Sequence, residues 1–205
     1  MIIIIDSGLG NLGSIQNMVR KAGGQALISS EIEEIALAKK LILPGVGSFD
    51  SGMSNLIKLG LIDILNKKVI KDGIPILGIC LGMQLFAKKS QEGSLQGLGW
   101  IDAEVVRFDY REVSNIYKIP HMGWNTLIYK ESNILFADFM ELPRFYFVHS
   151  YHLKCYTEKD IIAKTNYGYD FVSAVCHNNI FGVQFHPEKS HKYGLKLMKN
   201  FVELV

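Results

Sequence analysis

Apolar residues gather in short unbroken runs along the first 80 positions, at Ile2–Ile5 and at residues 26–28, 41–43 and 74–79. An unbroken run, unlike an alternating one, predicts a strand buried on both faces. Between the runs, residues 12–22 and 53–70 space their apolar side chains at helical period. Strand and helix in alternation imply crossovers onto a parallel sheet. Beyond residue 100 the rhythm changes: Ala103–Arg107 and residues 144–148, 171–176 and 180–185 follow with little helix between them. This spacing predicts hairpins and an antiparallel extension of the sheet. The chain then returns to helix, with Ser190 as its N-cap and Leu197, Met198, Phe201, Val202 and Val205 on one face. The expected fold is α/β: a mostly parallel central sheet flanked by helices, extended by antiparallel strands in the C-terminal part. A single domain over residues 1–205 is expected, without repeat, linker or low-complexity tract.

Composition narrows the classes of function. With 205 residues and 48% hydrophobic content, the chain can bury one substantial core. A formal net charge of +2 gives no electrostatic case for nucleic acid or an anionic membrane. The three cysteines, Cys80, Cys155 and Cys176, are odd in number and irregularly spaced, which argues against a disulfide framework and for a reducing compartment. The Ile2–Ile5 run has no basic region before it and ends at Asp6, so it reads as a strand and not as an export signal. No apolar stretch reaches the ~20 residues that span a bilayer. A cytoplasmic location is expected.

Candidate chemistry concentrates in two segments. Gly78-Ile79-Cys80-Leu81-Gly82 sets a cysteine between glycines at the end of an apolar run. A strand that turns sharply into a helix, with a strained residue at its apex, leaves no room for side chains on the flanks. Cys80 is the expected apex and nucleophile. A helix over residues 81–89 would aim its free N–H groups at the sulfur and favour the reactive thiolate. Far downstream, His186 and Glu188 lie two apart across Pro187. Proline keeps His186 out of helical geometry, and in an extended segment residues i and i+2 share a face. The Glu188 carboxylate is then placed to orient the His186 imidazole as a general base.

Two other signals compete. Gly8-Leu9-Gly10-Asn11-Leu12-Gly13 is a literal G-x-G-x-x-G between a strand and a helix, with Glu31 about 20 positions on, as a dinucleotide site would require. It explains neither the cysteine turn nor the His-Pro-Glu segment. His149, His152, Cys155, Cys176 and His177 supply ligand-type side chains. If residues 147–153 are extended, His149 and His152 point to opposite faces, so no metal site is expected.

Residues 78–84 (GICLGMQ), 185–188 (FHPE) and the loop 43–47 (LPGVG) together resemble the class I, triad-type glutamine amidotransferases. More narrowly, residues 44–47 (PGVG), 120–125 (PHMGWN), 147–151 (FVHSY) and 186–190 (HPEKS) resemble the glutaminase subunits of imidazole glycerol phosphate synthase. These motifs occur in family order from about residue 6 to the C-terminus.

The resemblance implies hydrolysis of L-glutamine by Cys80, His186 and Glu188, without a cofactor. The ammonia would pass to a barrel-type synthase subunit, in a heterodimer that makes imidazole glycerol phosphate and AICAR for histidine biosynthesis. The backbone N–H of Leu81, directly after the nucleophile, and those of Val46 and Gly47 are the expected oxyanion donors, each worth about 3 kcal/mol in comparable sites. By resemblance, Gln84 contacts the substrate and Ser150 with Tyr151 binds its amino-acid end. Asn11, Trp124, Tyr146 and Lys189 would face the partner. Bacterial paralogues that feed a sugar amidotransferase in surface-glycan synthesis look similar at every motif, and residues 97–102 (GLGWID) and 190–192 (SHK) resemble theirs. A cysteine hydrolase of γ-glutamyl or peptide bonds would use the same three side chains.

Overall fold

The computed structural model describes residues 1–110 and 117–205. Its first half contains β1 (Ile2–Ile5), α1 (Leu12–Lys21), β2 (Ala26–Ser29), α2 (Ile32–Ala36), β3 (Lys40–Gly45), α3 (Phe49–Lys58), α4 (Leu61–Asn66), β4 (Ile76–Cys80) and α5 (Leu81–Gln84). The second half contains β5 (Lys89–Ser90), β6 (Ala103–Arg107), β7 (His121–Thr126), β8 (Ile128–Tyr129), β9 (Arg144–His149), β10 (Tyr151–Cys155), β11 (Ile161–Tyr167), β12 (Tyr169–His177), β13 (Ile180–Val183) and α6 (His191–Glu203).

The main sheet runs β2-β1-β3-β4-β13-β12-β10-β6-β5, with β11 on β12 and β8 on β11. Strands β2, β1, β3, β4 and β13 are mutually parallel, and β12, β10 and β6 continue the sheet antiparallel. The isoleucine run of β1 is explained by burial on both sides: Ile3 and Ile5 enter the core beneath α3 and α4, while Ile2 and Ile4 enter the one beneath α1 and α6. Each such side chain contributes about 1.5–3 kcal/mol on burial. Register then sets the site. Ile79 pairs with Pro44 on one side and Val183 on the other, and Cys80 pairs with Gly45. The chain beyond β3, β4 and β13 therefore emerges at one edge, outside the carboxyl ends of parallel strands, where α/β sheets hold their ligands.

Several expectations change at the level of elements. The helix expected over residues 81–89 is a single turn, α5, because the N–H groups of Gly97, Leu98, Gly99 and Ile101 take the carbonyls of Lys88, Leu85, Ala87 and Phe86. The segment 53–70 is broken into α3 and α4, with Gly60 left-handed between them. Residues 144–149 leave the main sheet and pair with β7 as a separate antiparallel ribbon. β13 forms a hairpin with β12 but lies parallel to β4. Ser190 precedes α6 without a side-chain cap: its hydroxyl is held away from the helix, accepting from the Tyr146 N–H at 3.0 Å and donating to the His186 carbonyl at 2.6 Å.

Candidate active site

Cys80 ends β4 with φ 54° and ψ −110°, a positive-φ conformation rare for a residue with a side chain. The two flanking glycines have steric causes. A Cβ on Gly82 would collide with the Leu43 carbonyl, and one on Gly78 with the Phe86 ring and the Met83 nitrogen. The turn thus presses α5 onto β3 and lifts the sulfur to the sheet edge. With only one helical turn behind it, the sulfur gains oriented N–H groups, Leu81 first, but little macrodipole.

His186 follows β13 in extended conformation, its N–H bonded to the Tyr146 carbonyl at 2.9 Å. Pro187–Lys189 form one 3₁₀ turn, and that turn, not an extended i, i+2 face, brings Glu188 Oε1 to 2.8 Å from His186 Nδ1. Both side chains are only 3% exposed. Burial opposes charge on His186, yet the adjoining Cys80 and Glu188 outweigh it and push the imidazole up to about 9. Among the described residues, Nε2 of His186 and Oε2 of Glu188 have no hydrogen-bond partner. Nδ1 is thus engaged by the carboxylate and Nε2 left for proton transfer at the sulfur or a ligand.

A cavity of about 320 Å³, within the ordinary range for small-molecule sites, joins Cys80 and His186 to Val46, Gly47, Gln84, Ser150 and Tyr151. It also touches Glu92, which no motif pointed to, and His149, which lies within the 147–151 motif but was given no role there. Gln84 Nε2 donates to the Tyr151 carbonyl at 2.9 Å and to Gln184 Oε1 at 3.0 Å, which uses both its hydrogens and leaves Oε1 for a ligand. Glu92 Oε2 accepts from the Phe49 N–H at 2.8 Å, bracing the loop after Gly47.

Behind the cavity stands a chain of uncharged imidazoles. His149 Nδ1 meets the Tyr151 carbonyl at 2.8 Å and must donate to it. Its Nε2 therefore accepts, at 3.0 Å, from Nδ1–H of His121, whose own Nε2 accepts from Asn125 Nδ2 at 3.3 Å. Burial lowers His121 to about 4 and His149 well below its usual range. A bend at Ser150 brings His149 and His152 onto the same ring, Phe108, and so reverses the opposite-face expectation. Their nitrogens are otherwise engaged, with His152 Nε2 at 2.9 Å from the Tyr169 hydroxyl. No metal-type cluster of three ligands occurs among the described residues.

The four residues expected at a partner surface separate into a group and an outlier. Trp124 is 45% exposed, lies parallel to the His191 ring at 5.5 Å and meets Tyr146 edge-on. The Lys189 ammonium sits 5.7 Å over the Tyr146 ring. Asn11 is exposed at the head of α1, where its Oδ1 accepts from the Ser14 N–H at 3.4 Å. The G-x-G-x-x-G around it has another cause. Gly10 approaches Pro44, Gly13 has open space, and Glu31 lies past β2 at the start of α2, so the close helix–strand packing of a dinucleotide loop is absent.

Gln184 went unread in the sequence, although a glutamine in the apolar run Gly182-Val183-Gln184-Phe185 was the available signal. It is fully buried, and its Nε2 points to Cys80 Sγ at 3.7 Å.

A parallel sheet with a cysteine turn at its edge, faced by a buried His–Glu pair, agrees with the sequence comparison. The pattern described as Glutamine amidotransferase class-I matches residues 3–204, and the chain belongs to that family. A solved glutamine amidotransferase superposes with a TM-score of 0.70 at 19% identity, covering 97% of this chain and 99% of its own. Within the family, the chain is 57% identical over 203 residues to a Methanococcus maripaludis protein named imidazole glycerol phosphate synthase subunit HisH 2, with 99% of both chains covered. A Pseudomonas aeruginosa protein of the same name is 48% identical over 205 residues, the full length of both.

Proposed function

We propose that this chain, as one glutaminase domain, hydrolyses L-glutamine and passes the ammonia to a synthase subunit of histidine biosynthesis. The observation that carries the chemistry is the strained Cys80 beside an imidazole that Glu188 and the cysteine hold in its charged form. The Cys80 thiolate attacks the side-chain amide carbon of glutamine, and the negative charge moves to the amide oxygen. The N–H groups of Leu81 and of Val46 or Gly47 receive that oxyanion. His186 gives its proton to the departing nitrogen, ammonia leaves, and a γ-glutamyl thioester remains. Water then adds to the thioester as His186 takes its proton, and glutamate departs with the thiolate restored. Gln84 Oε1, Ser150 and Tyr151 hold the amino-acid end.

The acceptor follows from the relatives' names, which call them subunits of imidazole glycerol phosphate synthase. A barrel-type synthase would dock on the face of Trp124, Tyr146 and Lys189, with Asn11 at its margin. No helix among the described residues is long and apolar enough to cross a membrane. A second reading, ammonia supply to a sugar amidotransferase of surface-glycan synthesis, draws on the number 2 in both names and on residues 97–102 and 190–192.

The test is glutamine hydrolysis by the parent chain and Cys80→Ala, alone and with each synthase. Cys80→Ala should lose at least about 10⁴-fold in kcat, while Cys155→Ala and Cys176→Ala keep most activity and ammonium salt still feeds the synthase. Glutaminase activity retained by Cys80→Ala rejects the mechanism. Stimulation by the glycan partner alone reassigns the pathway.

A further inference from the structure

The mechanism just proposed needs an ionised sulfur in a nearly closed site, with Cys80 only 7% exposed. Its charged and titratable surroundings are His186 and, behind it, Glu188 from the turn after β13, Glu92 from the loop after β5, and His149 and Tyr151 from the bend between β9 and β10. His149 is held neutral, and Glu92 adds only negative potential. One imidazolium is therefore the sole cation among these groups, and it must surrender its proton during the reaction.

A neutral donor also reaches the sulfur. The hydrogen-bond series around the Gln184 amide fixes which way it is turned. The Tyr151 carbonyl can only accept, which places the nitrogen of Gln84 toward it. The second hydrogen of that nitrogen goes to Gln184, whose oxygen is therefore the atom facing Gln84. The Gln184 nitrogen is left facing Cys80 Sγ, at 3.7 Å, with both groups buried. The same Tyr151 carbonyl receives His149 Nδ1–H, so a backbone oxygen anchored from two sides fixes the polarity of the series. Sheet register supplies the proximity: Val183 pairs with Ile79, and each chain's next residue is Gln184 or Cys80.

We propose that Gln184 is a further catalytic residue, its side-chain N–H donating to Cys80 Sγ and stabilising the attacking thiolate, with Gln84 and the Tyr151 carbonyl as positioning groups. This rests on Cys80 being the nucleophile. A hydrogen bond to an ion is about twice as strong as one to a neutral group, so the donor favours the thiolate over the thiol. It needs no proton transfer and persists while His186 is neutral.

The experiment is the pH dependence of Cys80 alkylation by iodoacetamide, read on the Cys80 peptide by mass spectrometry in the full chain. Gln184→Met keeps the volume and removes the donor. Gln184→Glu keeps an acceptor for Gln84 but turns an oxygen toward the sulfur. At pH 7 alkylation should slow about tenfold in Gln184→Met and more in Gln184→Glu. At alkaline pH, where the sulfur is ionised regardless, the rates should converge on the parent's. Glutaminase kcat should fall with the pH 7 rate while KM stays nearly constant. Parent-like profiles in folded Gln184 variants, with Cys80→Ala inactive, overturn this inference alone. An active Cys80→Ala overturns the proposed function and this role with it. If Gln184→Met fails to fold, the isosteric Gln184→Glu decides.

Discussion

His186 and His149 line the same cavity, both nearly shut off from solvent, and yet hold opposite charge states. Burial lowers both. His149 has for partners a backbone carbonyl, a neutral imidazole and the Phe108 and Phe171 rings, so no negative charge repays ionisation and the one hydrogen bond that favours it, to the Tyr151 carbonyl, is outweighed by burial. His186 has a carboxylate at 2.8 Å and the cysteine beside it, and it rises to about 9. The same residue type at similar depth is thus a charged, carboxylate-paired imidazole at the end of the parallel half of the sheet and a neutral hydrogen-bond strut in the β7–β9 ribbon. The difference lies in the partner's charge and not in burial.

The sharpest way to break this contrast is Glu188→Gln, which keeps the shape but removes the charge. Turnover should fall by about 10²–10⁴-fold with little change in KM, and the His186 ring titration followed by NMR should move down from about 9. A raised KM with unchanged turnover would make Glu188 a binding residue instead.

Unfolding by urea across pH reads both histidine groups at once. His121 and His152, buried neutral and lowered to about 4, bind fewer protons folded than unfolded between about 4 and their ordinary 6.5. Their neutral forms are favoured above that window, and the stability associated with them is lost as pH falls through it. His186, raised to about 9, acts in the other sense: its contribution is complete below 6.5 and lost as pH rises toward 9. Each histidine adds a slope of about 1.4 kcal/mol per pH unit within its window. His152→Phe should flatten the acid limb and Glu188→Gln the alkaline one; limbs unchanged by both would dissolve the comparison.

A smaller effect belongs to the strut. His149→Leu leaves the His121 Nδ1–H without its acceptor and should cost about 1–3 kcal/mol in urea unfolding, with the His186 titration nearly in place. The smallest is Trp124→Ala. That ring is half in solvent, so stability should change by no more than about 0.5 kcal/mol, and any larger effect belongs in binding to a synthase, measured by titration calorimetry.

Much of this site was legible because its residues are local signals. Cysteine between two glycines encodes a turn too tight for other side chains, and His-Pro-Glu encodes an imidazole with a carboxylate nearby. Gln184 and the three buried histidines were illegible for the opposite reason. A glutamine in an apolar run or a histidine at a strand end acquires meaning only from a partner about 100 residues away for Gln184 and Gln84, or 28 for His149 and His121. Helix length failed similarly: periodicity continued past Gln84, but the loop 97–101 captured the carbonyls that would have extended α5.

Taken alone, the chain's order of residues determined the alternation of strands and helices, the strained cysteine and the adjoining His-Glu pair, since each depends on neighbours a few positions away. The tertiary structure decided that β13 lies parallel to β4, which sets Gln184 and His186 beside Cys80. It also decided which histidine is charged. Strand register and the electrostatic field of distant groups are properties of packing, and no local pattern carries them.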